Sequence, residues 1–161
     1  MIPFPRILFP GLLLLLSPSS SAQADTFRLI CPLEEAVVVP PPKKSLKYEE
    51  PDLCIVLTSL PDTLVKSVGS GRITNTEQTE EGGYGAVLFA KINGKEYYFW
   101  YSGMARLLVR RNDVVKIGQP LGVIPSGGRI ELNMYQFETP IDPTRYLDCK
   151  GILRADQPTA F

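Results

Sequence analysis

The chain has 161 residues, with 17 Lys or Arg balancing 17 Asp or Glu, and it contains no histidine. A formal net charge of zero gives no electrostatic case for nucleic acid or for an anionic membrane surface. The lack of imidazole also removes the commonest general base and the commonest protein ligand of a catalytic metal.

The first residues have the layout of an export signal. Arg6 gives a positive start, Ile7 to Leu16 is apolar apart from Pro10 and Gly11, and a Ser-rich stretch ends in Ala22-Gln23-Ala24. That ending is the small-x-small pattern of a signal-peptidase site. The apolar run is about half the roughly 20 residues that a membrane helix needs. No lipoprotein anchor is expected, because the nearest cysteine, Cys31, lies beyond Asp25 and Arg28. The expected organisation is therefore a signal peptide over 1–24, one domain over 25–150, and a loose tail over 151–161, where the hydrophobic pattern lapses. Cleavage removes one charged residue, Arg6, and leaves a net charge of −1 on 137 residues, a length that suits a single core.

An oxidising compartment permits one disulfide among Cys31, Cys54 and Cys149. Cys54 lies inside Leu53-Cys54-Ile55-Val56-Leu57, where a small buried hydrophobe is the ordinary reading. Cys31–Cys149 is the expected pair, a staple joining the two ends, with Cys54 as the alternative partner.

Short apolar runs bounded by Gly, Pro, Asn or Asp predict strands rather than helices. In chain order these are Ala36–Val39, Leu53–Thr58, Thr63–Val68, Gly71–Thr74, Ala86–Lys91, Glu96–Tyr101, Leu107–Arg110, Pro120–Ile124 and Arg129–Tyr135. Pro40-Pro41-Pro42 ends the first of them and stiffens a connection through Lys43–Glu50. Asn93-Gly94 between two runs is a hairpin signal, since both residues tolerate positive φ. No stretch holds a 3.6-residue period for three turns, so the fold class is all-β. Glu96–Tyr101 is bulky at every second position on both faces, which predicts a central strand covered on both sides. A platform for stacking on sugar rings is the functional alternative for Tyr98 and Trp100.

From about Leu60 to Leu147 the chain resembles the lysostaphin-type (LytM-like) zinc endopeptidase domain. Thr63–Ile73 is similar to that family's T-P-V-x-A-x-x-x-G-x-V segment, and Gly82–Leu88 to its G-G-Y-G-x-x-V turn and strand. Tyr101–Met104 and Val109–Gly122 are similar to Y-A-H-L…V-x-x-G-D-x-V-x-x-G-Q-x-I-G. Pro140–Pro143 with Tyr146 and Leu147 is similar to the closing P-V-[ND]-P…Y-L. The four pieces in that order imply a compact β-sandwich of the duplicated hybrid motif, with a shallow groove across one sheet.

The resemblance also implies a zinc ion in that groove, held by H-x-x-x-D and by the second His of H-x-H. The first His of H-x-H and the His of Y-A-H-L would assist the attacking water. In this chain the first motif falls near Asp52 and Val56, the Y-A-H-L histidine at Gly103, and the H-x-H pair at Arg129 and Glu131. Shifting the alignment does not help, because there is no histidine to move into place. Carboxylates and a thiol (Asp52, Glu131, Cys54) are a poor substitute for catalytic zinc ligands. Arg129 and Glu131 read more simply as a same-face ion pair. The adjacent acids Glu49-Glu50 and Glu80-Glu81, the lysine neighbours of Ser45 and Ser67, and the Gly82–Gly85 turn carry no recognisable catalytic or phosphate-binding pattern.

The expected protein is a secreted non-catalytic module of a bacterial envelope that uses no cofactor and binds peptidoglycan or a protein partner. Asp52, Tyr84, Tyr101, Gly103, Arg129 and Glu131 are the candidate groove contacts. The alternatives are a structural adaptor domain and an active hydrolase with unconventional ligands.

Overall fold

A computed structural model of the protein describes residues 27–39, 53–79 and 82–150. The expected signal segment, the Pro40–Pro42 connection, Asp52 and the tail lie outside the described residues. The strands in chain order are β1 (Leu29–Ile30), β2 (Val37–Val39), β3 (Ile55–Thr58), β4 (Leu64–Lys66), β5 (Gly71–Gln78), β6 (Tyr84–Ile92) and β7 (Lys95–Met104). They continue as β8 (Arg106–Leu107), β9 (Val114–Val115), β10 (Pro120–Val123), β11 (Arg129–Gln136), β12 (Thr139–Ile141) and β13 (Leu147–Asp148). A single 3-10 turn over Pro143–Arg145 is the helical element among the described residues.

The fold is all-β, as the sequence predicts. An antiparallel sheet runs in the order β2-β3-β11-β7-β6-β5-β9, with β12 also paired to β11, and a three-stranded sheet runs β4-β10-β8. The inner face of the large sheet carries Leu57, Ile73, Leu88, Phe99, Tyr101, Ile130 and Leu132. These are buried in one core with Val65 of β4 and Leu121 of β10. At Gly122 the small sheet comes so close to β7 that a β-carbon would run into the Met104 sulfur.

The hairpin joining β6 to β7 turns at Asn93 and Gly94, with φ of 50° and 80°, the paired positive values that match strand twist. Several elements exceed or escape the sequence prediction. β5 continues through the polar Thr74–Gln78 because Asn75 to Gln78 pair with Val87 to Tyr84 of the apolar β6, so tertiary pairing overrides propensity. By contrast, the predicted Leu107–Arg110 strand stops at Leu107. Its remainder enters a turn in which the Asp113 carboxylate accepts from Arg110 N–H at 2.8 Å and Asn112 has φ 75°. The two-residue strands β1, β9 and β13 are too short to show a period.

The first and last described strands meet. β1 pairs in parallel with β13, Leu29 opposite Leu147 and Ile30 opposite Asp148. Beside them Cys31 and Cys149 form the expected disulfide. Asp142 sets up the turn leading into β13, its Oδ1 accepting from Thr144 N–H at 2.9 Å, and Pro143 fills the first helical position. A proline there forfeits no bond, since its N–H would have no partner in the turn.

Candidate binding face

The outer face of the large sheet is built by strict alternation on three neighbouring strands. On β11, Ile130, Leu132 and Met134 point into the core, while Arg129, Glu131, Asn133 and Tyr135 stand on the other side. On β7, Tyr97, Phe99 and Tyr101 are buried, and Tyr98 and Trp100 face outward. On β6, Val87 and Phe89 alternate with buried Ala86, Leu88 and Ala90. Strand register then arranges the outward side chains in rows, since directly paired residues share a face. One row runs Asn133, Trp100, Val87, Asn75; the next runs Tyr135, Tyr98, Phe89, Arg72, Val114.

Trp100 is 40% exposed. The prediction that β7 is covered on both faces is therefore corrected: β7 is central within its sheet, but among the described residues no second layer covers its outer face. The indole Nε1–H donates to Glu77 Oε1 at 3.0 Å, reaching across β6 to β5. On the other side, the Asn133 amide donates to Glu131 Oε1 at 3.0 Å. Phe89 and Tyr98 pack with ring centroids 5.3 Å apart and tilted by 51°. The result is an aromatic strip bordered by an amide and carboxylates.

The sequence-predicted groove residues divide. Arg129 and Glu131 share this outer face at the end of β11. Gly103 lies next to them in the bulge between β7 and β6, exposed, with φ 93°. Tyr84 is half-buried against the core at the start of β6. Tyr101 is a correction. It is wholly buried, its hydroxyl accepting from Val68 N–H at 2.9 Å, so it is a core residue and lines no groove. Burial raises its pKa far above the ordinary phenol value, against smaller lowering contributions from the Val68 N–H and the Ser67 side chain. The motif position suggested a groove contact, but the alternation of β7 groups Tyr101 with Tyr97 and Phe99. Sequence reasoning missed Glu77, Asn133 and Tyr135. Alternation on β11 was the available signal for the last two; nothing local marked Glu77.

These side chains do not fit a catalytic zinc ion. Where the resemblance puts the aspartate ligand stands Val56, an alkyl group 4% exposed. The H-x-H positions hold a guanidinium and a carboxylate, and Arg129 would repel a divalent cation. Gly103 offers no ligand, and its backbone rejects one, because a β-carbon there would lie 2.5 Å from the Arg129 carbonyl oxygen. Among the described residues no three Cys, Asp or Glu side chains gather closely enough to hold a metal ion.

The class defined by this fold is the LytM-like β-sandwich. Residues 54–143 match Peptidase family M23, more than half of the chain, and the protein belongs to that family. No curated protein matches. Among solved structures, Csd3 of Helicobacter pylori aligns with a TM-score of 0.59 and 20% identity, over 75% of this chain and 35% of its own. This chain thus spans about a third of Csd3. SpoIIQ, in a complex with SpoIIIAH, aligns at 0.58 with 16% identity, over 72% of this chain and 97% of that one. The prophage-encoded M23 protein EnpA from Enterococcus faecalis aligns at 0.53 with 18% identity, over 68% and 90%. At such identities the likeness is one of fold.

Proposed function

We propose that this protein is a non-catalytic member of the M23 family, exported to a bacterial envelope, which binds peptidoglycan or holds a cell-wall protein partner. One observation carries the reading: an M23 domain in a chain without a single histidine. Hydrolysis in this fold depends on a metal held with an open coordination position, and the remaining side chains make a poor ligand set. The scaffold persists while its chemistry is gone, and function lives in the site rather than in the fold.

Export is supported by the signal-like N-terminal sequence and by the disulfide, a bond of oxidising compartments. Among the described residues no helix is long and apolar enough to cross a membrane. SpoIIQ, a structure of this fold, is found in complex with another protein, SpoIIIAH, which supports the scaffold reading.

Purified protein incubated with isolated sacculi and with envelope extract tests the reading. Retention by one of them is expected, and retention by neither overturns it. Stoichiometric zinc with release of muropeptides would overturn the non-catalytic part.

A further inference from the structure

We infer that the outer face of β7 is a glycan-binding site, with Trp100 and Tyr98 stacking on successive rings of an uncharged pyranose chain. This rests on the envelope reading above and names the part of the wall polymer that the protein grips, the sugar strand rather than the peptide.

The chemistry of the face selects this occupant. A pyranose ring offers C–H bonds on its flat faces and hydroxyls around its rim. Its recognition therefore needs an aromatic surface edged by hydrogen-bonding side chains, and Tyr and Trp supply such area at low conformational cost. Trp100 is 40% exposed and flanked on its row by Asn133. The Asn133 amide nitrogen donates to Glu131 Oε1, which places Glu131 on the same edge of the strip. Glu77 binds the indole nitrogen, which fixes the ring plane before any ligand arrives and lowers the ordering cost of binding. Tyr98 stands two residues from Trp100 on the same face, about 7 Å along the strand. Its ring is steadied by Phe89 on one side, and Tyr135 is its cross-strand neighbour on the other. Two outward-facing rings in line along one strand suit a linear polymer.

Other occupants fit less well. A nucleic acid strand also stacks on aromatic rings, but its phosphates would meet Glu77 and Glu131 beside Trp100, whereas Arg72 and Arg129 lie outside the Asn133–Trp100–Val87–Asn75 row. An apolar protein surface would leave the amide and carboxylates at the border desolvated without partners.

The chain has one tryptophan, so its fluorescence reports this face alone. The experiment titrates the purified protein with the β-1,4-linked tetramer of N-acetylglucosamine, in parallel with a free stem tetrapeptide. A saturable change with the tetrasaccharide and none with the peptide is expected. Tyr98→Ala should weaken binding about tenfold or more, the scale of one lost stacking contact. Tyr98→Phe, which keeps the ring, should bind within about twofold of the parent. Trp100→Ala, followed by calorimetry, should abolish measurable binding while melting within a few degrees of the parent protein. A response to the peptide alone, or a Trp100→Ala variant that holds sacculi as well as the parent does, overturns the glycan site and leaves the envelope reading standing. Tetrasaccharide binding that depends on Trp100, without retention by sacculi or extract, supports the site and removes the envelope reading.

Discussion

A β-carbon on Gly103 would stand 2.5 Å from the backbone carbonyl oxygen of Arg129 on the neighbouring strand. With φ at 93°, the residue also occupies backbone space that L side chains rarely enter. The resemblance to the LytM-like pattern places a histidine at this position, and here neither the residue nor its backbone conformation accommodates one.

Restoring a side chain at this position should therefore be costly. Gly103→Ala is expected to lower stability by about 3 kcal/mol or more, combining left-handed strain with the collision; Gly103→His should be at least as harmful. Gly94 provides the control, since it also has positive φ but nothing within 4 Å of its β-carbon position. Gly94→Ala should cost only about 1 kcal/mol. Urea unfolding of the two alanine variants checks the ordering, and equal losses would mean that the Arg129 contact relaxes without penalty.

Tyr101 ties β7 to the segment after β4. Its hydroxyl is the acceptor for the buried Val68 N–H, so Tyr101→Phe strands a backbone donor inside the core. The expected loss is about 1–3 kcal/mol, read from the shift in the denaturation midpoint.

The same residue gives a pH dependence with a definite sign. Burial raises the folded-state pKa above its ordinary value, so the unfolded chain releases this proton first. The native state then holds more protons, and stability declines with rising pH. The contribution is present in full below about pH 10 and is lost from there upward toward the folded-state value. Comparing unfolding at about pH 8 and about pH 11, the parent protein should lose more stability than Tyr101→Phe. Equal losses would mean that the phenol is not the responsible group.

Much of this architecture is legible in the sequence because it is written in short-range pattern. Asn93-Gly94 announces its turn, and Ile130, Leu132 and Met134 alternate with Glu131 and Asn133 in a way that by itself separates core from surface. Thr74–Gln78 shows the limit: those polar residues are strand because β6 lies beside them, a fact no local window contains. The open face follows the same logic. A strand bulky on both sides is ordinarily covered on both sides, and whether a second layer lies over Trp100 depends on distant segments. For Tyr101, local periodicity was the better guide, and alignment to a family motif pointed the wrong way. Glu77 became part of the aromatic strip only through a register spanning three strands.

The disulfide closes the described domain where its first and last strands pack. Cys31 and Cys149 are separated by 118 positions, and the link sits beside the parallel pairing of β1 with β13. Phe27 adds to this closure, stacking on Tyr146 at 4.6 Å and tilting onto Tyr97 at 5.0 Å. A cross-link over so long a loop restricts the unfolded chain strongly, and its loss is expected to cost about 2–5 kcal/mol. The Cys31→Ser, Cys149→Ser double variant should show that loss in urea. Because the core of β3, β6, β7 and β11 does not depend on the staple, the variant should still fold, with amide exchange rising first in residues 27–33. Alkylation under native conditions should modify at most Cys54 in the parent protein, and three thiols after reduction and unfolding. A double variant as stable as the parent would mean that Leu29, Leu147 and the Phe27 contacts hold the ends together unaided.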